Sequence, residues 1–122
     1  MSFREHLERI DSSVEGCLSV SIMGIDGIPI DSINKPEASN EFDISSVLVE
    51  YAGLIGQLQR SSDALGSGSV HEYFLKTDKM MALMRPITSE YFLGLILHQQ
   101  GNLGKGRYLL RVIAPKLVDE LS

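Results

Sequence analysis

Apolar residues open the chain at Phe3, Leu7, Ile10 and Val14, spaced by four, three and four positions. That spacing draws one stripe along an α-helix. Arg4, Glu5, Glu8, Arg9 and Ser12 fill the other faces, and Gly16 ends the helix. The period then changes to two. Across residues 17–25, Leu18, Val20 and Ile22 alternate with Cys17, Ser19 and Ser21, which predicts a strand. Asp26-Gly27 follows, a pair that tolerates positive φ and so closes a tight hairpin. Residues 28–33 return as a second strand. Pro29 has no backbone N–H to give a ladder, which puts this strand at a sheet edge.

A polar loop containing Pro36 leads to a second helix over residues 44–65, about 33 Å long at 1.5 Å per residue. Asp43 is its expected N-cap, Phe42 can pack on Val47, and Gly66 is its expected C-terminal stop. Three strands come next, at 69–77, 80–87 and 91–98, joined by the short turns Thr77-Asp78-Lys79 and Thr88-Ser89-Glu90. The last is apolar almost throughout, as in a central strand covered on both faces. Asn102 then caps a helix over 103–121. Leu103, Leu110, Ile113, Ala114, Leu117 and Leu121 share one of its faces, and Pro115 is expected to kink it. The order α-β-β-α-β-β-β-α with tight turns predicts an α+β fold. It is one five-stranded antiparallel sheet with helices on both faces, in a single domain spanning residues 1–122.

Composition narrows the class. The chain has 122 residues, 43% hydrophobic and 22% charged, enough for one core. No long uncharged apolar window predicts a transmembrane helix. The polar start, Met1 to His6, lacks the apolar centre of a secretory signal. Cys17 is the only cysteine, which excludes an intrachain disulfide and points to a reducing, cytoplasmic compartment. A net charge of −5 argues against nucleic-acid binding, which needs a basic face. The closest basic grouping, Lys105, Arg107, Arg111 and Lys116, reads as the solvated side of the last helix.

Two segments carry a family resemblance. One runs from Val14-Glu15-Gly16-Cys17 through Asp26-Gly27-Ile28-Pro29-Ile30; the other from Tyr91-Phe92-Leu93 through Asn102-Leu103-Gly104-Lys105-Gly106-Arg107. With the element order they resemble the Roadblock/dynein-light-chain family over nearly the whole chain, and within it the prokaryotic MglB-like regulators of Ras-like GTPases. The resemblance implies a profilin-like fold and a two-fold dimer in which the middle helix and third strand meet their copies. It also implies a role in holding a small GTPase, or in assembling a larger complex as an adaptor. Hydrolysis would be stimulated by remodelling the GTPase, with no catalytic arginine lent to it. No motif here matches a GTPase-contact residue.

The residues themselves suggest where two copies meet. On the middle helix, Val47, Leu48, Tyr51, Leu54, Ile55 and Leu58 form a broad stripe expected to face the chain's own sheet. Val49, Ala52, Gly53, Gly56 and Arg60 form a second strip. Each interior glycine costs about 1 kcal/mol relative to alanine, and close approach of another backbone is the expected reason for two. The third strand, lying at an edge, invites self-pairing. Antiparallel pairing around Phe74 sets Glu72 opposite Lys76 of the partner subunit, twice, each pair contributing about 0.2–1 kcal/mol.

Other residues look chemical without forming a site. The segment 101–106 opens a helix, yet Gln99 and Gly106 stand where a phosphate loop needs Gly and Ser or Thr. Tight helix-to-sheet packing is the better reading of its glycines. His6, His71 and His98 have no acidic or cysteine neighbour at zinc spacing. Met80, Met81 and Met84 read as core. The expectation is a non-enzymatic homodimer without cofactor or metal, partnered by a Ras-like GTPase. A small-ligand sensor with the same fold is the alternative.

Overall fold

The computed structural model describes residues 2–35 and 42–121. Its elements are α1 (Phe3–Ser13), β1 (Cys17–Gly24), β2 (Pro29–Asn34), α2 (Ile44–Leu65), β3 (Tyr73–Lys76), β4 (Met81–Pro86), β5 (Tyr91–Leu97) and α3 (Leu103–Leu121). The sheet has five strands in the order β2-β1-β5-β4-β3, and every neighbouring pair is antiparallel. The strand carrying Pro29 is at one edge and β3 at the other, as the sequence implies. The loop segment around Pro36 lies outside the described residues.

The helix ends follow their capping chemistry. The Asp43 carboxylate accepts from the Ser45 backbone N–H and from the hydroxyls of Ser45 and Ser46. The Ser46 and Ser45 hydroxyls hold that carboxyl below the usual range. Gly66, at φ 66°, ends α2 in the left-handed region. Asn102 Oδ1 accepts from the Lys105 N–H at 3.0 Å to start α3, which then runs helical through Pro115. One boundary differs from expectation: β3 has four residues, not nine. The Val70 N–H is given to Gln59 Oε1 of α2 at 3.1 Å, so the segment before β3 is tied to the helix and not to β4.

Two cores sandwich the sheet. α1 and α3 cover one face, where Leu7, Ile10, Leu110 and Ile113 pack with Val20, Ile22, Leu93 and Leu95. α2 covers the other, where Leu48, Ala52 and Ile55 pack with Met84, Phe92 and Ile96. β5 therefore sends Leu93, Leu95 and Leu97 one way and Phe92 and Ile96 the other, and its apolar run needs no further explanation. Met80, Met81 and Met84 are all buried.

Gly94 sets how close α2 can lie. A Cβ there would stand 2.8 Å and 2.9 Å from the two methyl carbons of Leu48 and 3.3 Å from a ring carbon of Phe92. Gly106 plays the same part for α3, with Leu95 Cδ2 at 2.7 Å from its missing Cβ. Gly104 does not, since its nearest neighbour is Asn102 Oδ1 at 3.7 Å. The helix-to-sheet reading of that segment thus holds at one helical glycine and fails at the other.

Two polar groups are sealed into the α1 side. Burial and the nearby Asp11 carboxylate push the Cys17 thiol up to about 12, so it stays protonated. His6 is 3% exposed, and its Nδ1 has no hydrogen-bond partner among the described residues. Burial pushes its pKa down, with Lys116 and Arg9 adding to the effect and Glu120 opposing it.

Two outcomes are expected. Gly94→Val should lower the unfolding free energy by about 1–3 kcal/mol through overpacking against Leu48, read from the urea midpoint at unchanged m. The lowered His6 pKa means that the unfolded chain binds a proton more readily than the folded one. Stability should therefore fall as pH drops through the ordinary histidine range, from about 7 to about 5. His6→Leu should flatten that fall in urea titrations at the two pH values.

Candidate interaction surface

The two sheet edges are finished differently. At β2, the Lys35 N–H bonds Leu18 O at 2.8 Å, and the register pairs Val20 with Ile33 and Ser21 with Ser32. Hydrogen-bonded pairs alternate along an antiparallel ladder. The backbone groups of Ser32 and Asn34 therefore point outward, and both of those of Ser32 are occupied. Arg4 of α1 donates to Ser32 O at 2.8 Å and to Asp31 Oδ1 at 3.1 Å, while Asp31 Oδ1 accepts the Ser32 N–H at 2.9 Å.

At β3 the Thr77 N–H bonds Met80 O at 2.9 Å, and the register pairs Leu75 with Ala82 and Tyr73 with Met84. The same alternation turns the backbone groups of Phe74 and Lys76 away from β4. Among the described residues no side chain caps them. β3 is the open edge.

α2 presents three surfaces. Ile44, Leu48, Ala52, Ile55 and Gly56 are buried against the sheet. One flank meets the β1–β2 hairpin: Val49 Cγ1 lies 3.3 Å from the Cβ position of Gly27, and Ile25 Cδ1 lies 3.9 Å from that of Gly56. Roughly half a turn round, on the flank toward β3, are Val47, Tyr51, Leu54 and Leu58. Leu54 is 54% exposed and Leu58 53%. The Tyr73 hydroxyl donates to Ile55 O at 3.2 Å and fastens β3 beneath α2. Leu75, two residues on and on the same face of β3, is also exposed.

This arrangement corrects three expectations about α2. Leu54 and Leu58 do not face the chain's own sheet. Ala52 and Gly56, placed in the expected interface, are buried inside the fold. Gly56 has its close neighbours within its own chain, Ile25 and the Arg60 guanidinium, the latter 3.3 Å from its Cβ position. Gly53 has nothing within 4 Å of its Cβ position. It shares the hairpin side of α2 with Val49 and Arg60. Gly56 and Arg60 of this strip line one cleft with Val70, His71 and Tyr73, at the start of β3.

The expected β3 residues do sit together. Glu72, Phe74 and Lys76 lie on the α3 side of the strand. The Arg107 Nε of α3 donates to Glu72, and its guanidinium stands 5.5 Å from the centre of the exposed Phe74 ring. Glu72 therefore has an ionic partner in its own chain, which the sequence reading missed. Arg107 lies 35 positions from Glu72 in sequence, and no local signal links them. For Lys76 no carboxylate stands within 4 Å among the described residues.

A cleft of about 590 Å³ lies between the C-terminal half of α2 and the β4–β5 turn, with Tyr73, Tyr91 and Phe92 among its apolar walls and Arg60 and Gln59 at its polar side. Among the described residues no three metal-capable side chains cluster, and no helix is long and apolar enough to cross a membrane.

A five-stranded sheet covered by helices on both faces, with one edge closed and one open beside an apolar helix flank, is the architecture of a Roadblock-type domain. No protein-family model and no curated protein sequence matches the chain. Solved structures do. MglC from Myxococcus xanthus is 48% identical, over 98% of this chain and 99% of that one, with a TM-score of 0.68. At the level of fold alone, a Roadblock/LC7 domain from Streptomyces avermitilis superposes with a TM-score of 0.80 at 12% identity, over 99% of this chain and 98% of that one. The gliding protein MglB from Thermus thermophilus does so at 0.80 and 16% identity, over 98% of this chain and 89% of that one. The chain belongs to the Roadblock/LC7 family and is similar within it to MglC.

Proposed function

We propose that the chain is a non-catalytic homodimer that binds a Ras-like small GTPase as its regulator or scaffold. The observation that carries the dimer is the uncapped β3 edge running beside the exposed flank of Leu54, Leu58 and Leu75. Two copies pairing antiparallel around Phe74 would join their sheets and bring those flanks together over the seam. Covering a leucine fully contributes about 1.5–3 kcal/mol, and these are near half exposed, so each would add about half of that. In this register Lys76 of the partner subunit arrives beside the Glu72–Arg107 pair, so Glu72 serves two cations.

The GTPase partner rests on the family resemblance and on the 48% identity to MglC. The reading extends to stimulated GTP hydrolysis, by reshaping the GTPase. The small-ligand alternative rests on the cleft beside Arg60 and would show as a thermal shift with a metabolite panel.

Light scattering on the 13.5 kDa chain should give the mass of two copies. The pair Leu54→Glu and Leu58→Glu should give one copy with an unchanged circular dichroism spectrum. A wild-type chain that remains single at high concentration sinks the dimer. Immobilised wild-type protein should retain a Ras-like GTPase from lysate of the same organism, and the purified pair should then be assayed for hydrolysis. If no GTPase is retained, the partner assignment fails and the dimer stands.

A further inference from the structure

We infer that the α3 side of the joined sheet holds one acidic, amphipathic helix of a partner protein in a groove across the two-fold axis. This rests on the dimer reading, because neither chain makes the groove alone. On that side the open edge is walled by α3. Arg107 reaches down to Phe74, and one turn on, the Arg111 guanidinium stands 5.6 Å from the Tyr108 ring centre. Phe74 is 42% exposed and Tyr108 46%. These are the large apolar groups this side leaves to water.

Geometry gives the groove its width. α3 packs over β4 and β5. Strands are about 4.8 Å apart, so the α3 axis lies about 7 Å from β3 and about 10 Å from a seam half a spacing beyond it. The two α3 axes would then stand about 20 Å apart. Each helix is about 10 Å in diameter with its side chains. The gap left between them is about one helix wide, floored by Phe74 and its copy.

Charge gives the occupant its sign. The chain as a whole carries −5. The groove from each copy brings Arg107, Arg111 and Lys76 against two carboxylates, Glu72 and, about three turns beyond Tyr108 on the same strip of α3, Asp119. A guanidinium stacked on a ring uses its face and keeps its in-plane N–H donors for a carboxylate. Such Arg–aromatic pairs suit a helix with an apolar stripe toward Phe74 and Glu or Asp along its margins. A cationic helix, or a neutral one, would leave those donors unmatched.

The probe is a fluorescein-labelled synthetic helix of about 15 residues, Leu along one face and Glu along both margins; its counterpart has Lys in place of Glu. Anisotropy should show binding of the Glu helix only. Titration calorimetry should give one peptide per two chains. Affinity should fall about tenfold or more when salt rises from about 0.05 M to about 0.3 M, and likewise for Tyr108→Ala with Arg111→Glu at unchanged dimer mass. Equal binding of the Lys helix, one peptide per chain, or indifference to the double variant overturns the groove. A dimer that binds no peptide overturns it too and leaves the dimer reading intact. A monomer in light scattering removes both.

Discussion

β5 is buried on both sides, and that constraint organises the rest. Leu93, Leu95 and Leu97 belong to the α1–α3 core, while Phe92 and Ile96 belong to the α2 core. A strand so covered cannot offer a face to anything else. The sheet can meet a partner strand only at its margins, and one margin, β2, is already occupied at Ser32 by Arg4 and Asp31. What remains is β3, short and exposed, held under α2 by the Tyr73 hydroxyl and under α3 by Arg107. The surface available for association is thus a remainder, fixed by what the two cores consume.

Most of the fold was legible in the sequence because each element carries its own period and its own stop. The span of α2 follows from Asp43 and Gly66, and that of α3 from Asn102. The alternation in β1 announces a strand, though Ser19 and Ser21 are buried as well, and the unbroken apolar run in β5 announces a central one. The edge position of β2 follows from Pro29 and that of β3 from its place after α2. The short length of β3 was not legible, because Val70 is recruited by Gln59 eleven residues earlier, a bond that apolar periodicity does not record.

The candidate surface was only half legible. Glu72, Phe74 and Lys76 were placed together by strand alternation, which depends on local geometry alone. The orientation of α2 was misjudged because its apolar residues cover two adjoining faces. Val47, Tyr51, Leu54 and Leu58 compete with Ile44, Leu48, Ala52 and Ile55 at the same helical spacing. Hydrophobicity favours the leucines for the interior. Packing favours Ala52, which lies in the core with Phe92 and Ile96, and Gly94 of β5 makes room for Leu48. Side-chain volume decided the rotation of the helix, and a polarity pattern carries no volume.

The Arg4 clamp has a consequence for how far assembly proceeds. If both margins were bare, the β2 of one molecule could dock on the β3 of the next. That head-to-tail contact repeats without closing and ends in fibres. With Ser32 at the middle of one margin occupied by a guanidinium from the chain's own first helix, that head-to-tail contact is blocked where it would be longest. A single arginine on the first helix thereby acts against open-ended growth of the sheet, at the edge opposite the bare one.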